Sequence, residues 1–337
     1  MRWGNYMEDI YRVLEMIGDT RNKALATVIR VAGSAYKKEG SQMLIFEDGT
    51  QIGMLSAGCL ETDLAIQAQE VLKKQKAILL QYDMSEETDL AWGQGAGCNG
   101  TIDILLEPVN GKVQKDFILV KQLLNSNQKV VLLKKYSEVG EYLFIPSKDK
   151  AFGKWSGQIP EINFDVKSGV MADQPIFQHT YQPKPHLIVF GAGPDAKPLV
   201  SLAAEAGFSV TVCDWREEFC QKRNFPDADQ LFVGFPTELM KTISISSDAF
   251  VVIMSHHFQR DQQILLSLID KKIRYLGILG PKERTKRLLK CENLPDWIHS
   301  PIGLPIGAKG PFEIAISVLA EMIEVWRKPV HKRVEYV

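Results

Sequence analysis

The stretch L-I-V-F-G-A-G-P-D-A, Leu187 to Ala196, decides how the second half of this chain is read. An apolar run ends at Gly191-x-Gly193-x-x-Ala196, and a helical pattern opens at the last of these. Strand, glycine turn and helix in that order form a dinucleotide-binding fingerprint. Gly191 allows the tight turn, and Gly193 lets the backbone approach a pyrophosphate at the helix N-terminus. Asp214 follows Gly191 by 23 residues, at the predicted end of the next strand, where a carboxylate can accept bonds from a ribose. Arg216 would suit a 2′-phosphate, but the acid tips the reading of an NAD(P) site towards NAD. The alternative is a crossover that keeps the turn without the ligand.

Working outward, the pattern alternates. Strands are predicted at His186–Phe190, Ser209–Val212, Ala249–Met254 and Tyr275–Leu279. Helices follow them, the first from about Ala196 to Ala206 and the last from Pro311 to about Val325, with proline in its first turn. Such alternation predicts a Rossmann-like, doubly wound parallel sheet. The strand V-V-I-M-S runs into Ser255-His256-His257, with Asp261 beyond. Ligands sit at strand C-termini in these sheets, so His256 is a candidate acid, base or ligand contact. The plainer alternative is an imidazole that hydrogen-bonds a neighbouring loop. With no H-x-x-E, H-x-H or H-E-x-x-H array, no metal centre is expected.

Upstream, Tyr181-Gln182-Pro183-Lys184-Pro185 reads as a stiff polar linker, which divides the chain into domains 1–180 and 181–337. The first half mixes elements. A helix over 1–18, strands at 25–31 and 42–55 with a turn at Glu47-Asp48-Gly49, a helix at 61–74 and strands at 77–82 and 101–107 are predicted. A helix at 115–124, strands near 129–134 and 142–145, and short strands over 152–173 complete an α+β domain. Overall the chain is α/β: an N-terminal α+β domain followed by the Rossmann-like parallel sheet.

The 337 residues carry 40 Lys+Arg against 41 Asp+Glu, a formal net charge of −1, which lacks the basic excess of a nucleic-acid binder. No apolar run is long enough to span a membrane, and the acidic N-terminal stretch reads as an amphipathic helix instead of a signal peptide, so a cytoplasmic protein is expected. The five cysteines form no C-x-x-C pair, which argues against a disulfide framework or a zinc cluster. Two of them occupy glycine turns. Gly58-Cys59-Leu60-Glu61 stands at a strand-to-helix junction, where the helix dipole favours a thiolate. Gly97-Cys98-Asn99-Gly100 offers bare backbone that could wrap an anion. Space-filling by small residues is the competing explanation.

Together these segments resemble the xanthine dehydrogenase accessory family (XdhC/CoxI type) over nearly the whole chain. The resemblance is carried by ATVIRVAGSAYKKEGSQM, the two glycine-cysteine turns, LIVFGAG, Asp214-x-Arg216 and SHHFQRD. It continues through YLGILGPKERTKRLL and HSPIGLPIGAKGPFEIAISVLAEMI. Departures from the family pattern are Ala57 for a glycine, Gly310 for a threonine, and His257-Phe258 for an Asp-His pair. The resemblance implies a helper that binds the molybdenum cofactor (molybdopterin) as cargo. It would support sulfuration of that cargo with a cysteine desulfurase and insert it into an apo molybdenum hydroxylase of xanthine dehydrogenase type. No nucleic-acid or membrane partner is implied, and there is room for a homodimer. In that light Gly58, Cys59, Glu61, Gly97 and Cys98 join Gly191, Gly193, Ala196, Asp214 and His256 as cofactor-binding candidates. An NAD(P)-dependent oxidoreductase built on the Rossmann half is the rival function.

Overall fold

The computed structural model describes residues 9–56, 58, 60–84, 99–137, 140–166, 168–171 and 174–327. The chain divides into two compact units between Pro183 and Lys184.

The first unit opens with helix α1 (Asp9–Met16), which buries Val13 and Leu14. Strands β1 (Lys23–Ser34), β2 (Gln42–Phe46) and β3 (Gln51–Ile52) follow, then α2 (Glu61–Lys74), β4 (Ile78–Asp83) and β5 (Asn99–Val109). They build an antiparallel sheet in the order β3-β2-β1-β5-β4, with a register shift between Val28 and Arg30 of β1. Alternation along β1 places Ala24, Ala26 and Val28 on one face, packed with Leu64, Ala68 and Val71 of α2. Leu25 points the other way, into a core shared with Phe117, Leu132 and Phe144.

Helix α3 (Gly111–Asn125) leads into a second antiparallel sheet. Its strands are β6 (Val130–Lys135), β7 (Tyr142–Pro146), β8 (Phe152–Lys154), β9 (Gly169–Val170) and β10 (Ile176–Tyr181), in the order β8-β7-β6-β10-β9. Here β10 adds a strand not predicted from sequence. Its Gln178, His179 and Thr180 break the apolar pattern, yet Gln178 is buried and donates to the Asn163 carbonyl at 2.9 Å. Gln42 of β2 donates to the Tyr181 hydroxyl at 2.8 Å, a buried bond linking the two sheets.

The second unit is a six-stranded, wholly parallel sheet. Its elements are β11 (His186–Phe190), α4 (Ala196–Glu205), β12 (Ser209–Asp214), β13 (Gln230–Val233), α5 (Pro236–Thr242) and β14 (Phe250–Ile253). After them come α6 (Phe258–Leu268), β15 (Tyr275–Ile278), α7 (Lys282–Leu289), β16 (Ile298–His299) and α8 (Gly310–Arg327). The order β13-β12-β11-β14-β15-β16 is that of a doubly wound dinucleotide-binding fold. Leu187, Val189, Phe250 and Val252 face α4 and α8, whereas Ile188, Val251 and Ile253 face Ile264 and Leu265 of α6 and Leu288 of α7. Both faces are covered, which is why these strands read as unbroken apolar runs. The edge strands β13 and β16 lack such runs and were not predicted.

Phe250 is fully buried, 5.4 Å edge-on from Phe208 and 5.8 Å stacked on Tyr275. Phe250→Ala is expected to lower unfolding stability by about 3–5 kcal/mol, read as a fall in the denaturant midpoint.

Candidate functional site

Strand order reverses between β11 and β14, and the crevice outside their C-terminal ends is where doubly wound sheets bind ligands. The loop after β11 lies against the end of β14. Gly191 has φ +119°, and a Cβ built there would lie 2.7 Å from the Met254 carbonyl and the Ser255 Cα. Only glycine fits both the conformation and the space. Its N–H donates to the Cys213 carbonyl at 2.8 Å. Ala196, fully buried, starts α4 within the apolar core.

In this loop Ala192 N–H donates to Asp214 at 2.6 Å, Pro194 has no N–H, and Ala196 N–H donates to the Gly193 carbonyl at 3.1 Å. The amides of Gly193 and Asp195 are its free donors among the described residues. Beneath Asp195 an apolar cleft of about 10 Å³, bounded by Leu199, Met254, Leu279 and Ile302, has room for roughly one water.

Asp195 holds the N-cap position of α4 without a side-chain capping bond. Its Oδ2 instead meets His256 Nε2 at 2.6 Å, across 61 residues of sequence. His256 adopts φ +62°, left-handed backbone that costs a non-glycine residue on the order of 1–3 kcal/mol. Its neighbours hold it there. Ser255 Oγ pairs with Asp261 and accepts from His257 N–H at 3.2 Å, and Asp261, with no exposure, takes Arg284 Nη2 at 2.6 Å. His257 caps α6 by accepting from Arg260 N–H.

Asp214 is only 1% exposed. Burial alone would raise its pKa, but bonds from the Arg216 fork (3.0 and 2.8 Å) and from the Ala192 and Arg216 amides hold it below the usual range. Both oxygens are occupied, and the Arg216 guanidinium is turned inward against Trp215 and Phe219. The pair locks the turn and fills the acceptor sites of Asp214, while Arg216, 30% exposed, has no partner for Nη1 among the described residues. Cys213 and Cys220 are buried, which pushes their thiols up, Cys220 to about 11.

On the other side of the sheet's centre, Glu321 of α8 ties three segments together. Oε2 accepts from the Tyr275 hydroxyl at 2.6 Å and Gly303 N–H at 2.9 Å, and Oε1 meets His299 Nδ1 at 3.0 Å. Burial would raise its pKa, but the bonds from His299, Tyr275 and Gly303 outweigh that and lower it.

In the first unit, Glu61 turns back onto its own junction. It accepts from the amides of Leu55, Ser56 and Gly58 at 2.7–3.1 Å and pairs with the Ser56 hydroxyl. Gly58 is exposed, with φ +106°. Cys59, Gly97 and Cys98 lie outside the described residues. The structure therefore brings Gly191, Gly193, Ala196 and His256 together and assigns Asp214 and Glu61 to turn-closing bonds. Sequence reasoning missed Asp195. No spacing signal marked it, since its partner lies 61 residues away in sequence.

Comparison with known proteins matches the chain along most of its length. The XdhC Rossmann domain matches residues 187–322, the XdhC and CoxI family matches 17–83, and a BH1974-like central domain matches 111–182. The chain is 39% identical over 330 residues to a probable xanthine dehydrogenase subunit from Bacillus subtilis (strain 168), covering 96% of this chain and 98% of that one. The chain belongs to the XdhC and CoxI family. Another relative, at 23% identity over 327 residues, is the molybdenum cofactor insertion chaperone PaoD of Escherichia coli (strain K12), with 93% of this chain and 86% of PaoD covered. A crystal structure from Bacillus halodurans, described as a xanthine dehydrogenase (BH1974), superposes with a TM-score of 0.87 at 47% identity, covering 98% of this chain and 99% of that one. This XdhC-type chain thus shares its fold along its length with a solved relative.

Two outcomes follow. His256→Gly removes the imidazole and relieves the backbone, so thermal melts should show a variant as stable as the parent or up to about 1 kcal/mol more stable. Glu321 is depressed in the folded state, so its contribution is present above an unfolded pKa of about 4.3 and is lost as pH falls through the lower folded value. Denaturation midpoints below about pH 5 should therefore fall more steeply for the parent than for Glu321→Gln.

Proposed function

We propose that this chain carries the molybdenum cofactor, supports its sulfuration and inserts it into a xanthine dehydrogenase-type molybdenum hydroxylase. The observation that carries the reading is the pair of free amides at Gly193 and Asp195 beside the Asp195–His256 pair, at the switch point of a parallel sheet. Amides at a helix start attract an anion, and the His256 imidazole engages the Asp195 carboxylate beside them. The phosphate end of the cofactor is the group such a loop would hold. Gly191 and the Ser255–Asp261–Arg284 chain keep both loops in place. Family membership and likeness to a molybdenum cofactor insertion chaperone support cargo of this kind.

Cys59 and Cys98 are proposed as sulfur-handling contacts facing a cysteine desulfurase, and the cytoplasm as the site of transfer. The Asp195–His256 pair also lends the rival oxidoreductase an acid-base group, but the closed Asp214–Arg216 pair weakens its NAD(P) site.

In cells lacking this chain, hydroxylase activity and its molybdenum content should recover with the parent protein. With folded Gly193→Val or His256→Asn, activity should fall at least about tenfold. Cys59→Ser and Cys98→Ser should each lower cofactor retention without shifting the melting temperature. Full hydroxylase activity in the absence of the chain contradicts the proposal. Hydride turnover with NAD or NADP would establish the rival instead.

A further inference from the structure

The first unit holds a cavity of about 370 Å³ between its two sheets, walled by Leu25, Val113, Phe117, Leu132 and Phe144. That volume suits a small organic ligand. Three charged side chains line it: Glu107 of β5 and Lys134 of β6, joined as an ion pair across the two sheets, and the exposed Lys76. Lys134 is 5% exposed. Among the described residues its ammonium meets one acceptor, Glu107 Oε2, and Glu107 Oε1 meets no donor.

An ammonium has three N–H donors and a carboxylate about four lone-pair sites, so this pair leaves several groups unspent in a largely apolar chamber. Desolvation makes buried ion pairs poor stabilisers, and apolar replacements often serve the fold as well or better. The pair is therefore poorly explained by stability and well suited to recognition. Its two halves ask for opposite complements side by side: an acceptor for Lys134 and a donor for Glu107. Because their charges cancel, a neutral ligand suits the site better than an ion. A ring lactam or cyclic imide presents a carbonyl beside an N–H on one edge, with an apolar-faced ring behind it to meet the partly exposed Pro108 and Val113 of the lining.

We infer that this cavity binds a neutral heterocyclic lactam, its carbonyl on Lys134 and its ring N–H on Glu107. The site lies in the first unit and is independent of the Rossmann loop. The test is calorimetric titration of the full chain with uracil and hypoxanthine, a one-ring and a two-ring lactam, and with L-phenylalanine as a zwitterion that could also span the pair. One lactam should bind with one-to-one stoichiometry and more tightly than L-phenylalanine. Val113→Trp, a partly exposed change that fills the chamber without touching the pair, should weaken it at least tenfold. The charge-cancelling double change Glu107→Gln with Lys134→Met should do the same. Gly193→Val should bind the lactam as the parent does, which separates this site from the proposed cofactor site. Absence of heat with both lactams, or unchanged affinity in Val113→Trp, overturns the assignment. Tighter binding of L-phenylalanine overturns the ligand class.

Discussion

The contact on which the parallel half of the molecule turns is backbone to backbone. Gly191 lies against the Met254 carbonyl and Ser255 so closely that no Cβ could intervene. That approach joins the C-terminal ends of β11 and β14, adjacent strands separated by the β12–β13 excursion in sequence. Without it, Asp195 and His256 would be unrelated polar residues on separate loops. With it they form one pair at the sheet's switch point.

The surrounding polar groups make that point rigid. Asp214 and Arg216 close the turn after β12, Asp261 and Arg284 secure the end of β14, and Glu321 ties β15, Gly303 and His299 to α8. Each hub is a carboxylate with several donors, so it holds separate segments in one arrangement. Such rigidity lets His256 keep a strained backbone. A residue held in left-handed geometry by bonds on both sides keeps its imidazole against Asp195 instead of relaxing into its own loop.

The parallel half was legible in sequence because its physics is local. Strands buried on both faces are apolar throughout, and the glycine fingerprint marks the crossover without ambiguity of register. Edge strands β13 and β16 escaped because they have little or no apolar run, and β10 because its buried Gln178 finds its acceptor 15 residues away, at the Asn163 carbonyl. Asp214 was legible as an acid at a strand end but not as one already paired, because Arg216, two residues on, gives it both Nε and Nη2. Asp195 was invisible for the opposite reason, since its partner lies 61 residues away and spacing carries no such information. The Glu107–Lys134 pair and its cavity arise where two sheets meet, which no single motif encodes.

We propose the Rossmann crevice as the place where a pterin cofactor is held as cargo. Native mass spectrometry of the chain, purified from cells that make the molybdenum cofactor, tests it most directly. The account predicts a bound species with the mass of the pterin cofactor, present on the parent chain and absent from folded Gly193→Val. A parent chain that carries no pterin, or one retained equally by that variant, would contradict it.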